Sequence, residues 1–200
     1  MKTTVSALLI IVAAMMLLGG TASATPIIFQ TSLSGADENP ANASPGTGTA
    51  IVILDPDLNT MRVEVTFSGL TSNTTASHIH CCETAPGLNV NIPVATATPT
   101  FPGFPLGVMS GSYDQIFNLL DPATYNNGTP NFIAAHGGTV AGAEAALISG
   151  IENRETYLNI HTTAFPGGEI RGLLVPEPGS LALLATGLVA LGFVRRRRVS

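Results

Sequence analysis

The chain has 200 residues, of which only 10% are charged, and its formal net charge is −5. An acidic protein repels nucleic acid and anionic lipid, so this charge excludes a nucleic-acid partner. The mean hydropathy of +0.37 is high for a soluble domain, but much of the apolar excess lies in residues 5–18 and 181–194, at opposite ends of the chain.

The N-terminal apolar run has the pattern of a secretory signal peptide. It follows Lys2 and ends at Ala22-Ser23-Ala24, a site of the small-x-small type that signal peptidases cut. At about 14 residues the run is shorter than the roughly 20 that span a bilayer as a helix. We therefore predict a signal helix in residues 1–24, recognised by the export machinery and cleaved after Ala24, rather than a retained anchor.

The segment between the two apolar ends, residues 25–174, is predicted to be one domain. It retains three arginines against twelve carboxylates, a net charge of about −9, and such a surface attracts cations. Its short apolar stretches alternate with segments rich in Gly, Pro, Thr, Ser and Asn. This pattern predicts an all-β fold, either an antiparallel β-sandwich or a barrel.

The strands and the helix of this domain can be placed from periodicity. The predicted strands are Ile27–Leu33, Thr49–Leu54, Met61–Phe67, Ser77–His80, Gly111–Leu119, Thr156–Thr162 and Glu169–Leu174. The third strand alternates strictly between apolar and polar residues, and the turn 55–59 makes it a hairpin with the second. Residues 36–47 and the proline-rich residues 86–105 are predicted loops, the latter a long surface loop. The alanine-rich residues 139–151 predict one short helix across one end of the sandwich.

Three histidines are candidate metal ligands. His78 and His80 are two residues apart in a predicted strand, so their rings lie on one face, about 6.5–7 Å apart along the chain. His161, on a late strand, could add a third nitrogen, and thiolates from Cys81 and Cys82 would favour copper or zinc. The alternative, which the sequence favours, is structural. In it, His78 and His161 hydrogen-bond backbone or turn groups such as Glu169.

Cys81 and Cys82 are the only cysteines of the chain. An exported protein enters an oxidising compartment, where three outcomes are open. These are a vicinal disulfide, a metal-bound thiolate pair and a bridge to another chain. The sequence favours the vicinal disulfide, which would remove both cysteines as ligands.

No catalytic residue is predicted. The sequence contains no Ser-His-Asp pattern, phosphate-binding loop or dinucleotide fingerprint. Asp37 and Glu38 could be a hydrolytic carboxylate pair, but exposed loop carboxylates are common. Glu169 and Arg171, two residues apart on the last predicted strand, are expected to form a salt bridge that fixes this strand.

The C-terminal segment, residues 175–200, has three parts. Pro176-Glu177-Pro178 ends any preceding structure, a hydrophobic helix follows, and Arg195-Arg196-Arg197-Arg198 holds the end of the tail in the cytoplasm. The tail is either a short membrane anchor or a tag that is cut off. The order of the parts resembles the PEP-CTERM sorting signal. This resemblance implies recognition by an exosortase-type membrane protease, cleavage near the Pro-Glu-Pro motif, and release or attachment at the surface.

Several segments of the domain together resemble the CHRD domain. They are Leu33–Pro40, Gly46–Ala50, Val65–Leu70, Ala76–His80, and Tyr157–Thr162 continuing into Phe165–Gly172. The resemblance implies an immunoglobulin-like β-sandwich and no reaction. Cys81-Cys82 departs from the family, in which many members have glycine after the second histidine of this block.

These observations predict an exported protein of the outer surface or extracellular matrix, held by its C-terminal helix either transiently or permanently. Its predicted role is non-enzymatic, structural or interactive, with exopolysaccharide or another surface protein as its partner. The alternative is a copper- or zinc-binding envelope protein that uses His78, His80 and His161.

Overall fold

A computed structural model describes residues 25–82 and 90–177. Its strands are β1 (Ile27–Ser34), β2 (Thr47–Asp55), β3 (Thr60–Ser68), β4 (Thr74–His80), β5 (Gly111–Asn118), β6 (Tyr157–Thr162), β7 (Ile170–Leu173) and β8 (Val175–Pro176). Its helices are α1 (Phe132–Ala135), α2 (Val140–Glu152) and the short 3-10 helices Gly35–Asp37 and Pro122–Thr124. The predicted signal helix and C-terminal hydrophobic helix lie outside the described residues. Within these residues, no helix combines the length and apolar character that crossing a membrane requires.

All eight strands belong to one antiparallel, curled sheet with the order β4-β6-β7-β1-β2-β3-β5, and β8 pairs with β1. The predicted all-β class is confirmed, but one continuous sheet takes the place of the two separate sheets of an immunoglobulin-like sandwich. The reason lies in β1. This strand pairs with β2 along its full length, while Ser34 pairs with Arg171 of β7 and Phe29 with Pro176 of β8. β1 therefore joins the two halves.

The main hydrophobic core joins inward side chains of the sheet to one face of α2. Val52, Val63 and Val65 alternate inward from the hairpin β2–β3, whose register joins Thr47 to Ser68 and Asp55 to Thr60. Ala143, Leu147 and Ile151 form the fully buried stripe of α2, at the i, i+4 and i+8 spacing of an amphipathic helix. The predicted helix is therefore confirmed. The four-residue α1 is an additional helix that the alanine pattern did not predict.

The strands β4, β6 and β7 have two buried faces of opposite character. Ile79, Leu158 and Ile160 face the core and are fully buried. The register aligns His78 with Asn159 and Asn159 with Arg171 in one row, and paired residues share a face. This second face is polar, yet all three residues of the row are buried. We call it the polar face.

Part of the cover over the polar face comes from the proline-rich segment. Its described part begins at residue 90, and Val94 forms an isolated bridge with His80. Ala95 and Phe101 are fully buried. The predicted loop is confirmed for residues 90–105, but it is not confined to the surface, because part of it is buried. The segment lacks periodicity because it packs through irregular backbone, and burial of that kind leaves no periodic signal in a sequence.

Candidate metal centre

The polar face brings His78, His80 and His161 together, and we call these residues the histidine trio. His78 and His80 lie on β4, and the pairing of Ala76 with His161 sets the third ring on the neighbouring strand β6. One ring nitrogen from each histidine lies within 4.8 Å of the other two. The ring centroids of His161 and His78 are 5.4 Å apart, and those of His78 and His80 are 6.0 Å apart. Three nitrogens at this separation can converge on one ion.

Each ring of the trio uses one nitrogen to bind a backbone carbonyl. The distances are 2.8 Å from His78 Nε2 to Pro99 O, 2.6 Å from His80 Nδ1 to Ile92 O and 2.9 Å from His161 Nδ1 to Pro166 O. A carbonyl can only accept, so in a neutral ring this nitrogen carries the proton and the other keeps its lone pair. The predicted structural role, hydrogen bonding to backbone, therefore applies to one nitrogen of each ring, with carbonyls rather than Glu169 as partners.

The second nitrogen of each ring has no hydrogen-bond partner. Six buried side-chain polar atoms in the described part of the chain lack one, and three of them are His78 Nδ1, His80 Nε2 and His161 Nε2. Such atoms are uncommon in folded proteins because leaving them unsatisfied is costly. Histidines that ligate metals have this arrangement, with one nitrogen on the ion and the other donating to a carbonyl or carboxylate.

The electrostatics of the trio keep its rings neutral. Burial, together with the neighbouring ring of His161, lowers the pKa of His78 and of His80 to about 4. Burial also lowers the pKa of His161. At neutral pH all three lone pairs are therefore free of protons, which is the state that binds a metal ion.

Beside the trio, the polar face also contains the buried guanidinium group of Arg171. The ring of Tyr157 stacks on His80 with centroids 4.6 Å apart, and the Arg171 guanidinium carbon lies 4.5 Å from the centroid of Tyr157. Arg171 Nε lies 3.6 Å from Glu38 Oε2 and donates a hydrogen bond to the carbonyl oxygen of Asp37. Burial raises the pKa of Glu38 to about 7, although Arg171 acts in the opposite direction.

The predicted salt bridge between Glu169 and Arg171 is wrong, because among the described residues Arg171 pairs with Glu38 and not with Glu169. Glu169 instead accepts hydrogen bonds from the hydroxyls of Ser44, Thr71 and Thr162 and from the backbone N–H of Thr71. It precedes the first residue of β7. The strand alternation that would have aligned it with Arg171 therefore does not extend to it.

The two cysteines lie apart from the trio. Their sulfurs are joined as a disulfide that packs on α2, where Cys82 Sγ lies 3.3 Å from the carbonyl oxygen of Ala146. The cluster of candidate ligands in the described residues consists of the trio alone. The geometry thus gives no support to a metal-bound thiolate pair. The oxidation state of the exported protein stays a prediction.

Asn159 is a residue of the polar face that the sequence analysis did not single out. Tyr157, Asn159 and His161 alternate along β6, so their shared face could have been recognised from the strand pattern. The pairing of Asn159 with His78 across β4 could not, because the two residues are 81 positions apart in the sequence.

These features define a class of protein, an antiparallel-β domain with a buried histidine cluster on the face turned away from its main core. The CHRD domain model matches residues 29–174, and the chain therefore belongs to the CHRD domain family. The PEP-CTERM protein-sorting motif matches residues 174–198, so both resemblances seen in the sequence are confirmed. Searches of curated proteins and of solved structures find no match. The sorting motif implies export, processing by exosortase-type machinery and a membrane-associated place at the surface.

Proposed function

We propose that the protein is a non-enzymatic module of the outer surface or extracellular matrix, with exopolysaccharide or another surface protein as its partner. The observation that supports this role is the extent of the CHRD domain. It fills the chain from residue 29 to residue 174, where the sorting motif begins. In this proposal both ends serve delivery, and the acidic domain is the part that acts outside the cell.

Mass spectrometry of cell fractions tests the delivery step. We expect a mature chain that begins at Thr25, ends near Pro178 and is recovered from the surface or medium. In a triple variant of the motif, Pro176→Ala with Glu177→Ala and Pro178→Ala, the tail should not be cleaved. The chain should then retain the mass of the C-terminal tail and be recovered from the membrane fraction. Ser180→Ala, in the same tail but outside the motif, is the matched control. Recovery of intact residues 1–200 from the cytosol would contradict the proposal.

A second candidate function, metal binding, is favoured by the unpartnered nitrogens of the trio. In this function His78, His80 and His161 hold one copper or zinc ion, both of which accept neutral imidazole. The carbonyls of Ile92, Pro99 and Pro166 would fix the ring tautomers and orientations. The acidic charge of the domain favours the approach of a cation.

The metal content of the exported protein tests this function. We expect one zinc or copper ion per chain by elemental analysis, and rebinding after removal by a chelator. His78→Gln, His80→Gln and His161→Gln should each weaken binding by a factor on the order of 100. His136→Gln is the matched control, because His136 also binds a backbone carbonyl, at 2.8 Å from Phe132 O, but lies outside the trio. Equal affinities in all four variants would rule the function out.

A further inference from the structure

We infer that Asn159 supplies a fourth, oxygen ligand to the ion held by the histidine trio, an inference that rests on the proposed metal-binding function. The side chain is 1% exposed. Its Oδ1 atom is buried without a hydrogen-bond partner. Four of the six unpartnered atoms of the described residues thus belong to the trio and to Asn159.

The register of the sheet sets Asn159 between the trio members. It lies directly across from His78, and the Cβ atoms of such a pair are about 4.5–5.5 Å apart. On its own strand it lies two residues from His161, so both side chains leave β6 on the polar face. Its side chain therefore projects into the space on which the trio converges.

The contacts of the amide indicate which edge faces the histidines. A Cβ placed on Gly168 would fall 2.9 Å from Asn159 Nδ2 and against Glu38 Oε1. The amide nitrogen therefore lies on the side of the Glu38 carboxyl, and Oδ1 is directed away from it.

This donor set gives the site a definite chemistry. Three neutral imidazoles and one carboxamide oxygen suit Zn²⁺ or Cu²⁺ better than Cu⁺, which prefers sulfur ligands. Four protein ligands also close a tetrahedral shell, and zinc sites that are closed in this way are structural, whereas catalytic sites keep one position open. A closed centre would link β4 and β6 through a single ion, which agrees with a non-enzymatic module.

Spectroscopy of the exported protein, loaded with Co²⁺ in place of Zn²⁺ and separately with Cu²⁺, tests the inference. In Asn159→Leu, which has similar volume but no polar atom, we expect the visible Co²⁺ bands and the Cu²⁺ paramagnetic resonance spectrum to change. Affinity should fall on the order of 10- to 100-fold. Asn159→Asp keeps the oxygen and adds a charge, so it should bind more tightly. Asn153→Leu, at the exposed end of α2, is the control.

The outcomes separate the inference from the function beneath it. If the wild type binds the metals and Asn159→Leu shows the same spectra and affinity as the wild type, Asn159 is not a ligand. The trio alone then holds the ion. If the wild type binds none of these metals, both the function and the inference fail. Should Asn159→Leu not fold, Asn159→Asp decides, because weaker or unchanged binding in that variant also overturns the inference.

Discussion

Glu169 shows how one buried carboxylate can connect distant segments. Its four hydrogen bonds come from Ser44, before β2, from Thr71, after β3, and from Thr162, at the end of β6. Burial acts to raise the pKa of Glu169, but the hydrogen bonds from these residues outweigh it and the pKa is lowered. The carboxylate is therefore charged in the folded protein at neutral pH and is held there by hydroxyl and N–H donors.

We expect Glu169→Gln to lower the free energy of unfolding by about 3 kcal/mol at pH 7, because bonds to a charged acceptor are lost. Urea denaturation measures the change. Glu64 forms a half-exposed ion pair with Arg62, so Glu64→Gln should lower the free energy of unfolding by about 0.5 kcal/mol or less. Since the folded pKa of Glu169 is lowered, its contribution disappears as pH falls through that value, and variant and wild type should converge in acid. Equal losses in the two variants would contradict this role.

The trio predicts how the metal-free protein responds to acid. The pKa of His78 and of His80 falls from 6.5 to about 4 on folding. Between these pH values the unfolded chain therefore binds more protons than the folded chain does. The contribution of these two neutral histidines to the free energy of unfolding is thus complete above pH 6.5 and is lost towards pH 4. Glu38 acts oppositely, because its raised pKa of about 7 costs stability as pH rises from 4.5 to 7.

The melting temperature of the chelator-treated protein should therefore fall between pH 6.5 and pH 4, since two histidines outweigh one carboxyl. His78→Gln should flatten the fall, and Glu38→Gln should steepen it because the opposing group is removed. Calorimetry at several pH values measures all three profiles. A wild-type melting temperature that is constant over this range would contradict the buried, neutral state of the rings.

At the scale of elements, local patterns predicted most of the strands and α2. The strict alternation of Met61–Phe67 corresponds to β3, and the hairpin with β2 is confirmed. Strand pairing could not be predicted in the same way. The joining of β1 to β7 and β8, and of β4 to β6, depends on contacts between residues far apart in sequence. For this reason the His-x-His spacing could pair His78 with His80, but it could not show that His161 and Asn159 lie beside them.

The packing of α2 on the disulfide predicts a cost for enlarging Gly150. A Cβ at this position would fall 2.6 Å from Cys82 Sγ and against Cys81 Sγ. Helix propensity alone would make Gly150→Ala stabilising by about 1 kcal/mol, but we expect net destabilisation of about 1–3 kcal/mol from overpacking. Ser149→Ala, at the exposed neighbouring position, should change stability by less than about 0.5 kcal/mol. Thermal unfolding of both variants measures this, and a stabilised Gly150→Ala would show that α2 does not pack on the sulfurs.

At the scale of the molecule, the curled sheet separates two layers. One layer is the apolar core between the sheet and α2. The other is the polar face of β4, β6 and β7, covered by irregular segments whose carbonyls orient the histidines. The family and the sorting signal were visible in short motifs, because those motifs are local. The buried polar face was not visible in the sequence, because residues 90–105, which cover part of it, carry no periodic signal of their burial.

Native mass spectrometry of the exported protein tests the central claim most directly, namely that an exported CHRD domain holds one metal ion in its polar face. We predict a chain that lacks both apolar ends and carries the mass of a single zinc or copper ion. A chelator should remove this ion more readily from His78→Gln, whose affinity is weakened, than from His136→Gln, which should retain it like the wild type. A mature chain without a stoichiometric ion, or an ion that His78→Gln holds as tightly as the wild type, would contradict the account.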